Sequence, residues 1–169
     1  VNLANESDLH LGNQAGESAG EGSNEIRLLE TIGSRSTDRL LDYFDLVGLP
    51  IPTAWMNYPE GYTTEVNLAA IDWLERVAQK LDRGFVITID YGYEAPRFYH
   101  PSRTGGTLQC YFRQAHHDDP YVYIGQQDMT AHVDFTALKT WGDRLGLTAL
   151  GLVKQAEFLM ALGLGDRLL

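Results

Sequence analysis

Apolar positions recur at helical spacing in one long stretch and then run together without interruption in the next. From about Thr64 to Arg83, Val66, Ala70, Trp73, Leu74, Val77 and Leu81 return every three or four residues, and Gly84 follows. That pattern predicts a helix with one buried face, closed by glycine. Phe85, Val86, Ile87, Thr88 and Ile89 come next, with neither alternation nor charge. Such a run predicts a central strand, covered on both faces, of a parallel sheet. A helix leading into a buried strand is half of a crossover unit, so the predicted class is α/β. The run stops at Asp90-Tyr91-Gly92-Tyr93. In open α/β sheets ligands bind beyond the carboxyl ends of the strands, and chemistry is expected there. The plainer alternative is a turn opened by Asp90, with Tyr91 and Tyr93 packed over the sheet edge.

The remaining pattern is shorter-ranged. Glu25 to Ile32 reads as a strand ended by Gly33. Ser36 or Thr37 offers an N-cap to a helix carrying Leu40, Leu41, Phe44 and Val47, with Gly48 at its end and Pro50 beyond. The three prolines between Leu49 and Tyr62 predict an extended connector, whose Trp55 and Tyr58 either pack on the domain or cover a groove. Thr107 to Phe112 reads as a strand. Asp134 caps a helix with Phe135, Leu138, Trp141 and Leu145 on its apolar face, and Gly146 stops it. Leu147 to Val153 reads as another strand and Gln155 to Leu162 as a last helix. Residues 1–24 are mostly Gly, Ser, Ala, Asn and Glu, which predicts a flexible loop or hairpin tip. Val1 is not an initiator methionine, and the chain is expected to be part of a longer one.

Composition narrows the partners. The 169 residues suit one domain, and 13 basic against 23 acidic residues give a net charge of −10. A uniformly acidic chain is repelled by phosphate backbones and anionic membrane surfaces, which argues against nucleic acid. No apolar run approaches the roughly 20 residues of a membrane span. The single cysteine, Cys110, cannot form an internal disulfide and is expected to be a packed strand residue.

Three constellations could carry chemistry. His116, His117, Asp118 and Asp119, with Asp128, His132 and Asp134 downstream, offer donors that Zn or Fe accept, but in no recognised spacing; no metal site is expected. Gly105-Gly106-Thr107 is too short for a phosphate loop and lacks its lysine. The third set is Glu65, Asp90 and Asp128 with Tyr91, Tyr93 and Tyr111. If they converge they form an acidic, aromatic-walled pocket suited to a guanidinium, which offers a carboxylate two parallel hydrogen bonds. Scattered surface carboxylates are the competing reading. Arg97 and Arg103 are the nearest cations.

Glu60-Gly61-Tyr62-Thr63-Thr64-Glu65-Val66, Asp90-Tyr91-Gly92-Tyr93, Arg103 with Gly106-Thr107-Leu108, Asp119-Pro120, Gly125 and Asp128 through Phe135 follow in an order that resembles the MidA family, and Gln155 with Phe158-Leu159 fits as well. The resemblance spans residues 25–169. It implies the C-terminal part of a Rossmann-like class I methyltransferase fold with a helical and irregular insertion, using S-adenosylmethionine, whose cofactor motif is expected upstream of Val1. It also implies a protein substrate methylated on arginine, in mitochondrial members a respiratory complex I subunit. The location implied is cytoplasmic in bacteria and the mitochondrial matrix in eukaryotes. Glu65, Asp90, Tyr91 and His117 are then expected to be catalytic, with Tyr93, Tyr111, Asp128 and Asp134 binding substrate. Gln114 departs from the family pattern, where a histidine is frequent. A non-catalytic assembly module, self-associating into a homo-oligomer through an unpaired sheet edge, and a metal-dependent hydrolase built on the His/Asp cluster are the alternatives.

Overall fold

The computed structural model describes residues 33–51 and 53–168. The strand expected at Glu25–Ile32 and the loop expected over 1–24 lie outside the described residues. The elements are α1 (Arg39–Leu46), a 3-10 turn (Thr53–Trp55), α2 (Leu68–Lys80), β1 (Gly92–Tyr93), α3 (Ala95–Phe98), β2 (Gln109–Phe112), β3 (Ala115–His117), β4 (Asp128–Thr130), β5 (Val133–Asp134), α4 (Phe135–Arg144), α5 (Gln155–Ala161) and α6 (Leu164–Arg167). Among the described residues no helix is long and apolar enough to cross a membrane.

Aromatic side chains from α1, the proline-rich connector and α3 make the core. Phe44 is buried with its ring 4.9 Å from Trp55 and 5.6 Å from Tyr99, both edge-on. Such pairs contribute about 0.5–1.5 kcal/mol beyond area burial. The connector aromatics therefore pack on the domain. The Trp55 indole donates to the Leu49 carbonyl at 3.0 Å, and the Tyr58 hydroxyl to the Tyr99 carbonyl at 2.6 Å. Both bonds satisfy polar atoms that burial would otherwise strand. Cys110 is fully buried on β2, as its type suggested.

Helix α2 begins later than its apolar stripe implied. Asn67 is its N-cap, accepting the Ala70 N–H at 3.0 Å, so Glu65 stands outside the helix rather than in its first turn. Asn67→Ala removes that acceptor and is expected to cost about 1 kcal/mol, read as a lower urea midpoint with an unchanged slope. An unchanged midpoint would show that the packing of Ile71 and Leu74, both buried, sets the start of the helix. The helix at Asp134 starts as expected: its carboxylate accepts from Thr136 N at 2.9 Å and Ala137 N at 3.2 Å.

The fold is α/β and includes one parallel pair. β1 runs parallel to β5, Gly92 opposite Val133 and Tyr93 opposite Asp134. A separate antiparallel sheet in the order β3-β2-β4 carries the polar excursion. Residues 85–89 do not form the buried ladder expected of them. They pair with no strand, and Phe85, Ile87 and Ile89 are 79%, 70% and 64% exposed. Residues 147–153 behave in the same way, with Leu150 and Val153 exposed. A central parallel strand needs neighbours on both edges and cover on both faces, and among the described residues these two segments have no paired neighbour. Between them and helices α2 and α4 lies a groove of about 580 Å³ with a mixed lining, Trp73, Phe85, Phe135 and Leu138 beside Arg83, Glu94 and Lys139.

Candidate functional site

The parallel pair fixes the place where side chains gather. Val133 N donates to the Tyr91 carbonyl at 2.8 Å, so the Asp90-Tyr91 turn and the residues before β5 sit side by side. Gly92 permits this approach. A Cβ there would lie 2.2 Å from the Val133 carbonyl oxygen and 2.7 Å from the Phe135 ring. Asp90 and Tyr91 are both exposed, and Asp90 uses only Oδ1, accepting the Tyr91 N–H at 2.7 Å.

Glu65 has a different task. Its carboxylate accepts Thr107 N at 2.9 Å, Leu108 N at 2.8 Å and the Thr107 hydroxyl at 3.2 Å. The glycine-rich stretch that fails as a phosphate loop is thus a backbone nest closed around an internal carboxylate. Gly106 makes the nest: its φ is +73°, and a Cβ would stand 2.3 Å from Glu65 Oε1. Thr107 Oγ1 also accepts the His132 N–H at 3.0 Å. Glu65, Thr107 and His132 form one connected line that ends at the ring of Tyr93, 5.0 Å from the His132 ring and edge-on. The guanidiniums of Arg97 and Arg103 rest over the same tyrosine, 4.2 and 5.0 Å from its centroid.

Tyr111, His117 and Asp128 lie in the separate antiparallel sheet, and Asp134, though opposite Tyr93 in the parallel pair, turns its carboxylate to other partners. Tyr111 on β2 stands between His116 on β3 and Asp128 on β4, and its hydroxyl donates to Gln109 Oε1 at 2.6 Å. His117 is on the opposite face, paired with Cys110, and both its ring nitrogens are buried without a hydrogen-bond partner. A general base must reach the proton it takes, and these nitrogens do not face solvent. Asp134 is buried with each oxygen occupied, Oδ1 by the two cap N–H groups and Oδ2 by the Tyr43 hydroxyl at 2.9 Å. Its carboxylate is a structural acceptor and leaves no open face for substrate. Burial pushes the Asp134 carboxyl above the ordinary carboxylate range, against the pull of those hydrogen bonds, and raises the Tyr43 and Tyr99 phenols behind it. Glu65, Asp90 and Asp128 therefore have separate partners rather than one pocket. Among the described residues no three His, Cys, Asp or Glu side chains gather as a metal site would require.

Sequence comparison sets this arrangement in a family. The model described as "Putative S-adenosyl-L-methionine-dependent methyltransferase" matches residues 8–153. The chain belongs to that family. A solved Burkholderia thailandensis protein bound to S-adenosyl-homocysteine is 43% identical, with a TM-score of 0.65 over 68% of this chain and 30% of that one. A second solved protein of the same superfamily from Burkholderia thailandensis, in native form, is 39% identical, with a TM-score of 0.68 over 79% of this chain and 34% of that one. The chain thus spans about a third of the length of these solved relatives. No curated protein matches it. The mixed α/β architecture with its parallel pair is a portion of this methyltransferase fold.

Proposed function

We propose that this chain supplies the substrate-facing side of a MidA-like protein arginine methyltransferase whose methyl donor is S-adenosylmethionine. The observation that carries the reading is Asp90. It is an exposed carboxylate at the carboxyl edge of the unpaired segment that leads into β1, with Oδ2 unpartnered among the described residues and the 83% exposed ring of Tyr91 beside it. A guanidinium suits that pair, since it hydrogen-bonds a carboxylate and stacks on an aromatic face.

The described residues do not build a cradle for the cofactor. Gly105-Gly106 leads into β2, and its following N–H groups are taken by Glu65, while Gly163-Leu164-Gly165 opens only the four-residue α6. In the complete fold the cofactor supplies an electrophilic methyl group. What this chain contributes is orientation and charge. Asp90 holds the guanidinium and accepts the proton it loses, while Tyr91 fixes its plane. Glu65 acts one step back, holding the 105–108 loop against His132 and Tyr93, and is a positioning residue.

The test uses the full-length enzyme in a strain lacking its own copy, with methylarginine peptides quantified by mass spectrometry. Asp90→Asn is expected to lower the methylated fraction about tenfold or more, with S-adenosylhomocysteine affinity unchanged. Full restoration of methylation by Asp90→Asn would sink the assignment. A second reading, a protein-interaction module, draws on the exposed apolar segments at 85–89 and 147–153 and the exposed Phe158 and Met160 of α5. It predicts that the complete fold still self-associates, whereas burial of these segments in the complete fold confines self-association to the isolated chain, and sedimentation of the two distinguishes the outcomes.

A further inference from the structure

We propose that Tyr93, Arg97, Arg103 and His132 form a carboxylate-binding site that receives an acidic side chain of the protein substrate. The proposal extends the protein-methyltransferase reading, but its test does not depend on turnover. Two guanidiniums share one tyrosine ring, at 4.2 and 5.0 Å from its centroid. Neither is ion-paired within 4 Å among the described residues. Among the described arginines only Arg35 and Arg39 are ion-paired, and Arg97 and Arg103 are the two that share one ring. Both positive charges lie within 5.0 Å of that ring's centroid, and an anion that reaches both lowers their mutual repulsion.

Two buried polar atoms at the same place lack partners: Arg103 Nε and His132 Nδ1. Both atoms are closed to solvent, as the His117 nitrogens are, so the donors left for a carboxylate are the terminal N–H groups of the two guanidiniums. Stacking occupies the face of a guanidinium and leaves its N–H edge for a carboxylate, which it binds as a fork. The cluster is also firmly held. His132 is tied through its backbone to Thr107, and Thr107 to Glu65, so the site is built before any ligand arrives. Arg97 is on the exposed side of α3, and the site is reached through β1 from Asp90 and Tyr91. A substrate with an acidic residue near its target arginine meets opposite charges at the two places: carboxylate for the arginine, guanidiniums for the acid. The negative remainder of the surface repels acidic segments elsewhere, which confines their landing to this spot.

The probe is N-acetyl-L-glutamate, titrated into the full-length enzyme while the arginine Nε–Hε resonances are followed by NMR. Saturable shifts of Arg97 and Arg103 are expected, about tenfold weaker in Arg103→Gln and in Arg97→Gln. The second variant guards against misfolding at Arg103, because Arg97 is exposed. A companion measurement uses the full-length enzyme with S-adenosylhomocysteine and with 5′-methylthioadenosine, which lacks the amino-acid carboxylate. Unchanged affinity for both in Arg97→Gln supports the proposal. No saturable shift, a shift that both variants retain, or a loss confined to S-adenosylhomocysteine would overturn it, the last by giving the site to the cofactor. Failure of arginine methylation with intact glutamate binding would sink only the proposed reaction.

Discussion

Asp134→Ala is expected to lower the stability of the chain by about 2–4 kcal/mol, the sum of a lost helix cap, about 1 kcal/mol, and a stranded buried hydroxyl, about 1–3 kcal/mol. The carboxylate accepts from Thr136 N and Ala137 N on one oxygen and from the Tyr43 hydroxyl on the other, and the Tyr99 hydroxyl in turn donates to Tyr43 at 3.2 Å. Alanine removes every acceptor at once and leaves the Tyr43 hydroxyl without one. Relief of the buried charge offsets part of the loss. Asp134→Asn keeps the cap, since asparagine is as good an N-cap as aspartate. It is expected to cost less than alanine.

The pH dependence separates the contributions. Burial raises the folded-state pKa of Asp134 above its unfolded value. The folded chain therefore binds more protons than the unfolded one between the two values, and stability declines as pH rises through that window. Below the unfolded pKa the contribution is fully present; above the folded pKa it is gone. Asp134→Asn lacks this titration, so its deficit relative to the native chain should shrink as pH rises from the ordinary carboxylate range. Urea midpoints measured across that range decide it. A deficit that grows with pH would mean the hydrogen bonds outweigh burial.

How much of this was legible in the sequence follows from how local each feature is. Asp134 announces its cap because it directly precedes an apolar helical face, and Gly48 and Gly146 announce helix ends because their φ values are +78° and +84°. The β2 strand and the burial of Cys110 follow from short-range pattern. Residues 85–89 carry the composition of a buried strand, yet burial depends on neighbours that a pattern does not contain. The Glu65 nest joins residues 42 and 43 positions apart. Its only sequence trace was Gly106-Thr107-Leu108, which was legible as part of a family signature and not as a carboxylate receptor. Arg97 and Arg103 stood out as the nearest cations, but nothing in their spacing places both on Tyr93. Tyr43 and Tyr99, 56 positions apart and hydrogen-bonded, had no signal beyond being aromatic.

Gly92→Ala is expected to cost about 3 kcal/mol, combining overpacking of about 1–3 kcal/mol with the loss of a hydrogen bond worth about 1 kcal/mol. The added methyl would stand 2.2 Å from the Val133 carbonyl oxygen and 3.0 Å from its carbon. Both are backbone atoms, and a backbone cannot rotate away as a side-chain tip can. β1 must therefore move off β5, which lengthens the bond from Val133 N to the Tyr91 carbonyl. Gly105→Ala is the matched control: no atom lies within 4 Å of its Cβ, and its φ is not positive. It is expected to be neutral, or stabilising by up to about 1 kcal/mol through the unfolded state. The functional consequence follows from the same displacement, because Asp90 and Tyr91 ride on the strand that moves, while Tyr93 carries Arg97 and Arg103 with it. In the full-length enzyme Gly92→Ala should therefore reduce arginine methylation and weaken N-acetyl-L-glutamate binding together. An alanine variant as stable as the control would show that the parallel pair yields without cost, and glycine in this motif would then need a reason other than the approach of β5.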